Sequence, residues 1–117
     1  MLNESQEKRL LDMGLTACHR GLPVQGRRIF KGLLAVRPNL IPAQLGVAFS
    51  HLVVGDFAPA DLVIQNVLAA NPQDEEARAL LALSLRLQNK GDEARPILEA
   101  LAAAEGPSAR LAKDLLG

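Results

Sequence analysis

The sequence predicts an all-α fold assembled from recurring helical hairpins, and three observations predict it. Leu and Ala are abundant, while the 117 residues include no Trp, no Tyr and only Phe30, Phe49 and Phe57 as aromatics, a mixture that favours helix over sheet. Gly and Pro recur at a fixed distance: Gly21 and Gly55 are 34 residues apart, and so are Pro38 and Pro72. Between these marks the segments are short, as helices punctuated at regular intervals should be.

Laid on these pairs, the frame divides the chain into blocks at about 7–40, 41–74 and 75–108, each reading helix, turn, helix. Asn3 with Gln6 three residues later has the form of a capping pair at the start of the first helix. Gly21 supplies the turn, and Pro23 falls where the first turn of a helix tolerates a missing N–H. In the second block the turn "GDFAPA" holds Gly55, Asp56 is a suitable N-cap, and Pro59 again sits in a first turn. Asp74, Glu75 and Glu76 open the third block as acids near the positive end of a helix dipole. Its turn, "NKGDEA", carries Gly91 two places late and offers Asp92 as an N-cap. Pro96 follows Asp92 by four residues, so the helix after this turn either starts later than the frame places it or is bent there. After "EGP", Ser108–Leu116 reads as a short helix with Leu111, Leu115 and Leu116 on one side and Arg110, Lys113 and Asp114 on the other. Such a helix would cap the apolar end of the last block. Seven helices in one domain spanning 1–117 are expected.

The residues that fill the frame resemble the tetratricopeptide repeat. The first block matches at Met13, Gly14, Ala17, Gly21, Phe30 and Pro38; the second at Val47, Ala48, Gly55, Asp56, Phe57, Ala60, Ile64 and Pro72; the third at Leu81, Ala82, Ala94 and Leu98. The family's early Trp slot holds Leu10, Gln44 and Arg78, and its Tyr slot holds Ala17, His51 and Leu85, so the match is made without those aromatics. The resemblance covers roughly Glu7 to Ser108 and implies an α-solenoid: three helix-turn-helix repeats and a C-terminal capping helix in a right-handed superhelical array. It also implies that the first helix of each repeat lines a concave surface through its second, fifth, ninth, twelfth and thirteenth positions. Those slots hold Lys8, Leu11, Leu15, Cys18 and His19; Pro42, Leu45, Phe49, Leu52 and Val53; and Glu76, Ala79, Leu83, Arg86 and Leu87. The partner-binding set expected from them is Leu11, Leu15, Cys18, Leu45, Phe49, Leu52, Val53, Leu83 and Leu87.

The same centre is visible in the composition. From Pro38 to Gly55 there is no Asp, Glu, Lys or Arg. About 18 apolar residues is where a membrane-spanning helix becomes possible, but Pro38, Asn39, Pro42, Gln44, Ser50 and His51 spread polar or helix-breaking groups through the run, which argues against insertion. Two readings remain: helices apolar nearly all round because they are central, or a groove that another polypeptide covers, with an amphipathic helix as its occupant. Burying one large aliphatic anchor contributes roughly 1.5–3 kcal/mol, so a few could support useful affinity.

From Met13 to Gly55 there is also no acid, while Arg20, Arg27, Arg28, Lys31 and Arg37 supply positive charge. This is either a basic patch that favours an acidic flank on a partner or a solvated face with dipole compensation by Arg20 and Arg37. Nucleic acid is a poor fit. Lys plus Arg equal Asp plus Glu at 13 each, the cluster is small, and no aromatics interleave with it.

Catalysis finds little support. His19 and His51 lie on different helices, and Cys18 points about 100° from His19 around a helix. No zinc spacing, phosphate loop or nucleophile elbow occurs, and no cofactor or metal is expected. A single cysteine, Cys18, leaves no internal disulfide, and the opening "MLNESQEKRLLD" lacks the basic end and apolar run of a secretory signal, so a cytoplasmic location is expected. Size, repeat number and groove chemistry are similar to those of the small chaperones and co-chaperones of type III secretion systems. That resemblance implies sequestration of an amphipathic helix of a secretion subunit. The alternative is a structural adaptor, or a scaffold that closes on a second copy of itself when its partner is absent.

Overall fold

The computed structural model describes residues 2–103 and 107–116, with the side chains of 107 and 108 outside that description. The described residues form seven helices and no strand: α1 (Glu4–His19), α2 (Pro23–Val36), α3 (Ile41–Leu52), α4 (Phe57–Ala70), α5 (Glu75–Leu87), α6 (Gly91–Ala102) and α7 (Pro107–Leu116). Most of the "EGP" turn expected before α7 lies outside the described residues, and α7 begins at Pro107, one place earlier than expected. The chain divides into two compact units, 1–63 and 64–117, whose boundary falls within α4. In the first unit α1 packs on α2, α2 on α3, and α1 touches α3; in the second, α5, α6 and α7 repeat the same pattern. α7 therefore stands to its hairpin as α3 stands to the first one.

The helix starts carry the period of 34. α2, α4 and α6 begin at Pro23, Phe57 and Gly91, and α3 and α5 at Ile41 and Glu75. The backbone between helices repeats as well. Leu22, Asp56 and Lys90 each donate their N–H to a carbonyl five residues back, on Ala17, His51 and Leu85, at 2.8–2.9 Å. This is the longer bond of a Schellman closure, which needs a residue of positive φ just before the donor. Gly21 (φ 79°) and Gly55 (φ 75°) supply it in the first two turns. In the third the residue is Asn89 (φ 63°), which corrects the expectation that Gly91 is the turn glycine. Asn reaches the left-handed region at modest cost, so the turn keeps its register without glycine. Gly91 instead opens α6, preceded by Lys90, and Asp92 lies in the first turn of that helix rather than capping it. The helix thus starts early and encloses Pro96. Two other caps are as expected: Asn3 and Gln6 bond reciprocally at 2.8 and 2.9 Å, and Asp74 accepts from the Ala77 N–H at 2.9 Å.

Burial follows the period too. Phe30, Ile64 and Leu98, at successive intervals of 34, have 0%, 0% and 1% of their surface exposed. Leu33, Val67 and Leu101 are buried at the next inward position, and Gly14, Ala48 and Ala82 face inward from the first helices. In the first unit Phe30 packs with Cys18 and Val47, flanked by Leu11, Leu34 and Phe49. In the second, Ala79, Ala82, Ala94, Leu98, Leu101 and Ala112 form the core, with Leu85, Ile97, Leu115 and Leu116 against it.

Helix approach is closest where a Cβ is missing. A methyl group on Gly14 or on Gly46 would lie 2.6 Å from the Phe30 ring, and one on Gly26 would lie 2.6 Å from the Gly14 carbonyl oxygen. Phe30 of α2 is thereby seated against the backbone of both α1 and α3. Gly32, on the same helix as Gly26, has open space in the Cβ direction. Gly32→Ala should therefore raise stability by about 0.5–1 kcal/mol through helix propensity, whereas Gly26→Ala, the same chemical change, should lower it by about 1–3 kcal/mol through overpacking, both measured by chemical denaturation. Asn89→Gly should be neutral or stabilising by up to about 1 kcal/mol, and Asn89→Val destabilising by about 1 kcal/mol or more, because a β-branched residue resists positive φ.

Candidate partner-binding face

The residues expected to line a concave surface divide sharply by burial. In the first unit Leu15 (38% exposed) and Val53 (43%) are open, Leu11 and Phe49 are half-buried, and Cys18, Leu45 and Leu52 retain 2–4%. Cys18, Leu45 and Leu52 therefore present almost no surface to a ligand. Cys18 is a core residue, packed with Phe30 and Val47. For Leu45 and Leu52 the reason is geometric. Ala43, Leu45, Gly46, Val47, Ala48, Ser50 and Leu52 of α3 are all buried, so only a narrow stripe of that helix stays open. At about 100° per residue that stripe is centred on Pro42, Phe49 and Val53, and Leu45 and Leu52 lie about 70° to one side of it.

What remains accessible on the first unit is a small apolar surface shared by two helices. Phe49 of α3 meets His19 of α1 with ring centroids 5.3 Å apart and planes tilted by 54°. Leu11 and Phe49 each rest one side on the core beneath. His19, which fills one of the expected concave slots but is not in the expected partner-binding set, belongs with Leu11, Leu15, Phe49 and Val53. Its distance from Phe49 along the chain hides the pairing. In the second unit Leu83 is half-buried and Leu87 half-exposed on α5, while Ala79 has turned into the core. Arg86 donates to the Leu115 carbonyl and so ties the end of α7 to α5. An open cleft of about 350 Å³ beside it is lined by Arg86, Asn89, Gly91, Asp92, Arg95, Leu98 and Leu116, with Arg95 3.8 Å from Glu99.

The expected basic patch is also reduced. Arg27 donates from Nε to Ser50 Oγ at 2.8 Å and reaches the Ser50 carbonyl at 3.4 Å, while Ser50 Oγ donates to the Val47 carbonyl at 2.6 Å. Arg37 binds both oxygens of the buried Glu7 carboxylate at 2.7 and 2.6 Å. These two arginines tie α2 to α3 and the α2 terminus to α1. Arg20, Arg28 and Lys31 remain on the surface. The free thiol of Cys18 is pushed up by burial, against the opposing pull of Arg27, which keeps it protonated near neutrality. Among the described residues no group of three His, Cys, Asp or Glu is placed to hold a metal ion, and no helix is long and apolar enough to cross a membrane.

Arg37→Ala strips a nearly buried carboxylate of its partner and should cost about 1–2 kcal/mol, kept modest by the exposure of Arg37 itself. Glu7→Gln, which removes charge and pairing together, should cost less; urea denaturation of both variants measures the difference. Compared with known proteins, the chain matches no family model, no curated protein and no solved structure.

Proposed function

We propose that the chain is a non-catalytic, protein-binding module of the tetratricopeptide type that holds an amphipathic helix of a partner against α1 and α3 of its first unit. Support for the repeat reading comes from the shared interval of 34 in helix starts, turn closures and buried positions. The single observation that carries the binding reading is the face of α1 and α3, where Leu11, Leu15, His19, Phe49 and Val53 leave apolar and aromatic surface in water. α3 contributes no charged group to it from Ile41 to Leu52. An amphipathic helix meets such a stripe with anchors at i, i+3, i+4 and i+7. The set is smaller than the sequence expectation, since Cys18, Leu45 and Leu52 serve the interior; on the second unit Leu83 and Leu87 offer a similar, shorter stripe.

The resemblance to cytoplasmic secretion chaperones gives this face a role: shielding an aggregation-prone helix of a type III secretion subunit until export. Leu15→Glu combined with Val53→Glu alters only exposed positions, so the thermal midpoint should stay within a few degrees of the parent. Co-expressed with the products of adjacent genes, the parent should keep one of them soluble and the double variant should lose it at least tenfold, a loss of about 1.4 kcal/mol. Unchanged co-purification by a folded double variant rules the face out. Release of the bound protein on transfer to a secretion apparatus supports a chaperone, whereas permanent binding, or a dimer of the chain alone that the double variant abolishes, supports the adaptor or scaffold.

A further inference from the structure

Among Leu11, Leu15, His19, Phe49 and Val53, only His19 can change its charge, and nothing around it is placed to hold that charge once water is gone. Its ring meets Phe49 with centroids 5.3 Å apart, and helical spacing puts Leu15 one turn before it on the same side of α1. The last carbonyls of α1, on Thr16, Ala17 and Cys18, are already taken by the N–H groups of Arg20, Gly21 and Leu22. From Gly21 to Gly26 the turn and the start of α2 carry no charge, and Arg27 beyond them is bonded to Ser50.

The other elements add no anion. The single titratable group of α3 is His51, which lies about 160° around that helix from Phe49 and approaches Asp56 at 3.5 Å. On α1, Lys8 and Asp12 precede His19 by 11 and 7 residues, about 16 and 10 Å along the axis, and Arg20 follows it; all three are exposed. Asp12 is thus the nearest acid on the side of α1 that His19 shares, and it stands two turns away in water.

We propose that the partner's helix binds the neutral form of His19 alone, so that binding expels a proton and acid releases the partner; the inference rests on the reading of this face as the binding site. In the free chain a protonated ring is exposed and hydrated. An amphipathic helix seated through its apolar stripe removes that water and leaves the imidazolium without a counter-ion, an arrangement so costly that the ring gives up its proton instead. The neutral ring keeps its apolar contact with Phe49. Because the free chain holds a proton that the complex does not, affinity is complete above the titration of the free ring and falls as pH drops through it, by up to tenfold per pH unit for one proton.

The probe is the co-expressed protein that the parent retains at pH 8. Its dissociation constant should rise between pH 8 and 5.5 at fixed ionic strength, approaching the one-proton slope, and NMR should show the His19 ring titrating at lower pH in the complex than in the free chain. His19→Phe should flatten the profile, whereas His51→Gln should keep its slope. His19→Lys, which fixes a positive charge at the site, should weaken binding at least tenfold at pH 8, a comparison that acid effects on the fold do not touch. The inference is overturned by a flat profile in the parent, by tighter binding in acid, which would place a partner carboxylate over the ring, by a His19 midpoint unchanged or raised in the complex, by a full slope in His19→Phe, or by parental affinity in His19→Lys. Failure of the underlying reading looks different: no protein is retained at pH 8, or Leu15→Glu with Val53→Glu retains it unchanged, and both statements then fall together.

Discussion

Each first helix of this chain has to reverse within three or four residues, and that reversal requires one residue with positive φ. Gly21, Gly55 and Asn89 meet the requirement at intervals of 34. The same residues fix where the second helices can start, because the closing bonds from Leu22, Asp56 and Lys90 leave no freedom in the length of the turn. With both helices anchored to one turn, their small residues meet at matching heights. Gly14 meets Gly26, whose missing Cβ lets α2 reach the α1 backbone. Ala48, Ala60, Ala82 and Ala94 hold the matching slots of the later hairpins and are all fully buried. Turn geometry, helix register and core composition are thus one constraint seen at three levels.

Close approach decides what is left for the surface. Phe30 is seated against Gly46 as well as Gly14, so α3 packs closely on the first hairpin, and it is buried around most of its circumference. A helix so engaged has little side area to offer a partner. The exposed stripe at Phe49 and Val53 owes its position to that packing, and the His19 ring extends it across to α1. A face whose larger members are half-anchored in the core loses little rotamer freedom on binding, which favours affinity from a small area.

Much of the fold could be read in the sequence because the features that encode it are backbone requirements. Gly21 and Gly55 are needed where they stand, Pro38 and Pro72 mark the turns between hairpins, and the helix starts at Pro23 and Phe57 and at Ile41 and Glu75 keep the same interval. The third turn was harder to place because Asn89 can take the conformation that the frame seeks in a glycine, and Gly91, two residues on, draws attention to the wrong place. The face was less legible. Helical spacing places Leu45 and Leu52 within about 70° of the exposed stripe, and a pattern of apolar residues does not say which edge of it meets the neighbouring helices. Cys18 shows the same ambiguity, being apolar enough for either side and settled only by its contact with Phe30 and Val47.

The acid-free run from Met13 to Gly55 illustrates how composition and surface potential part company. Its cations outnumber its acids five to none, yet two of the five are spent inside the unit. Arg37 finds its carboxylate at Glu7, thirty residues back and outside the run, and Arg27 takes a neutral hydroxyl and carbonyl at Ser50. Both ties cross between helices, so they depend on the hairpin register rather than on neighbours in sequence. An arginine bonded to a serine keeps its charge in place without an anion to cancel it, and that charge adds to the effect of partial burial in holding the His51 imidazole below its usual pKa.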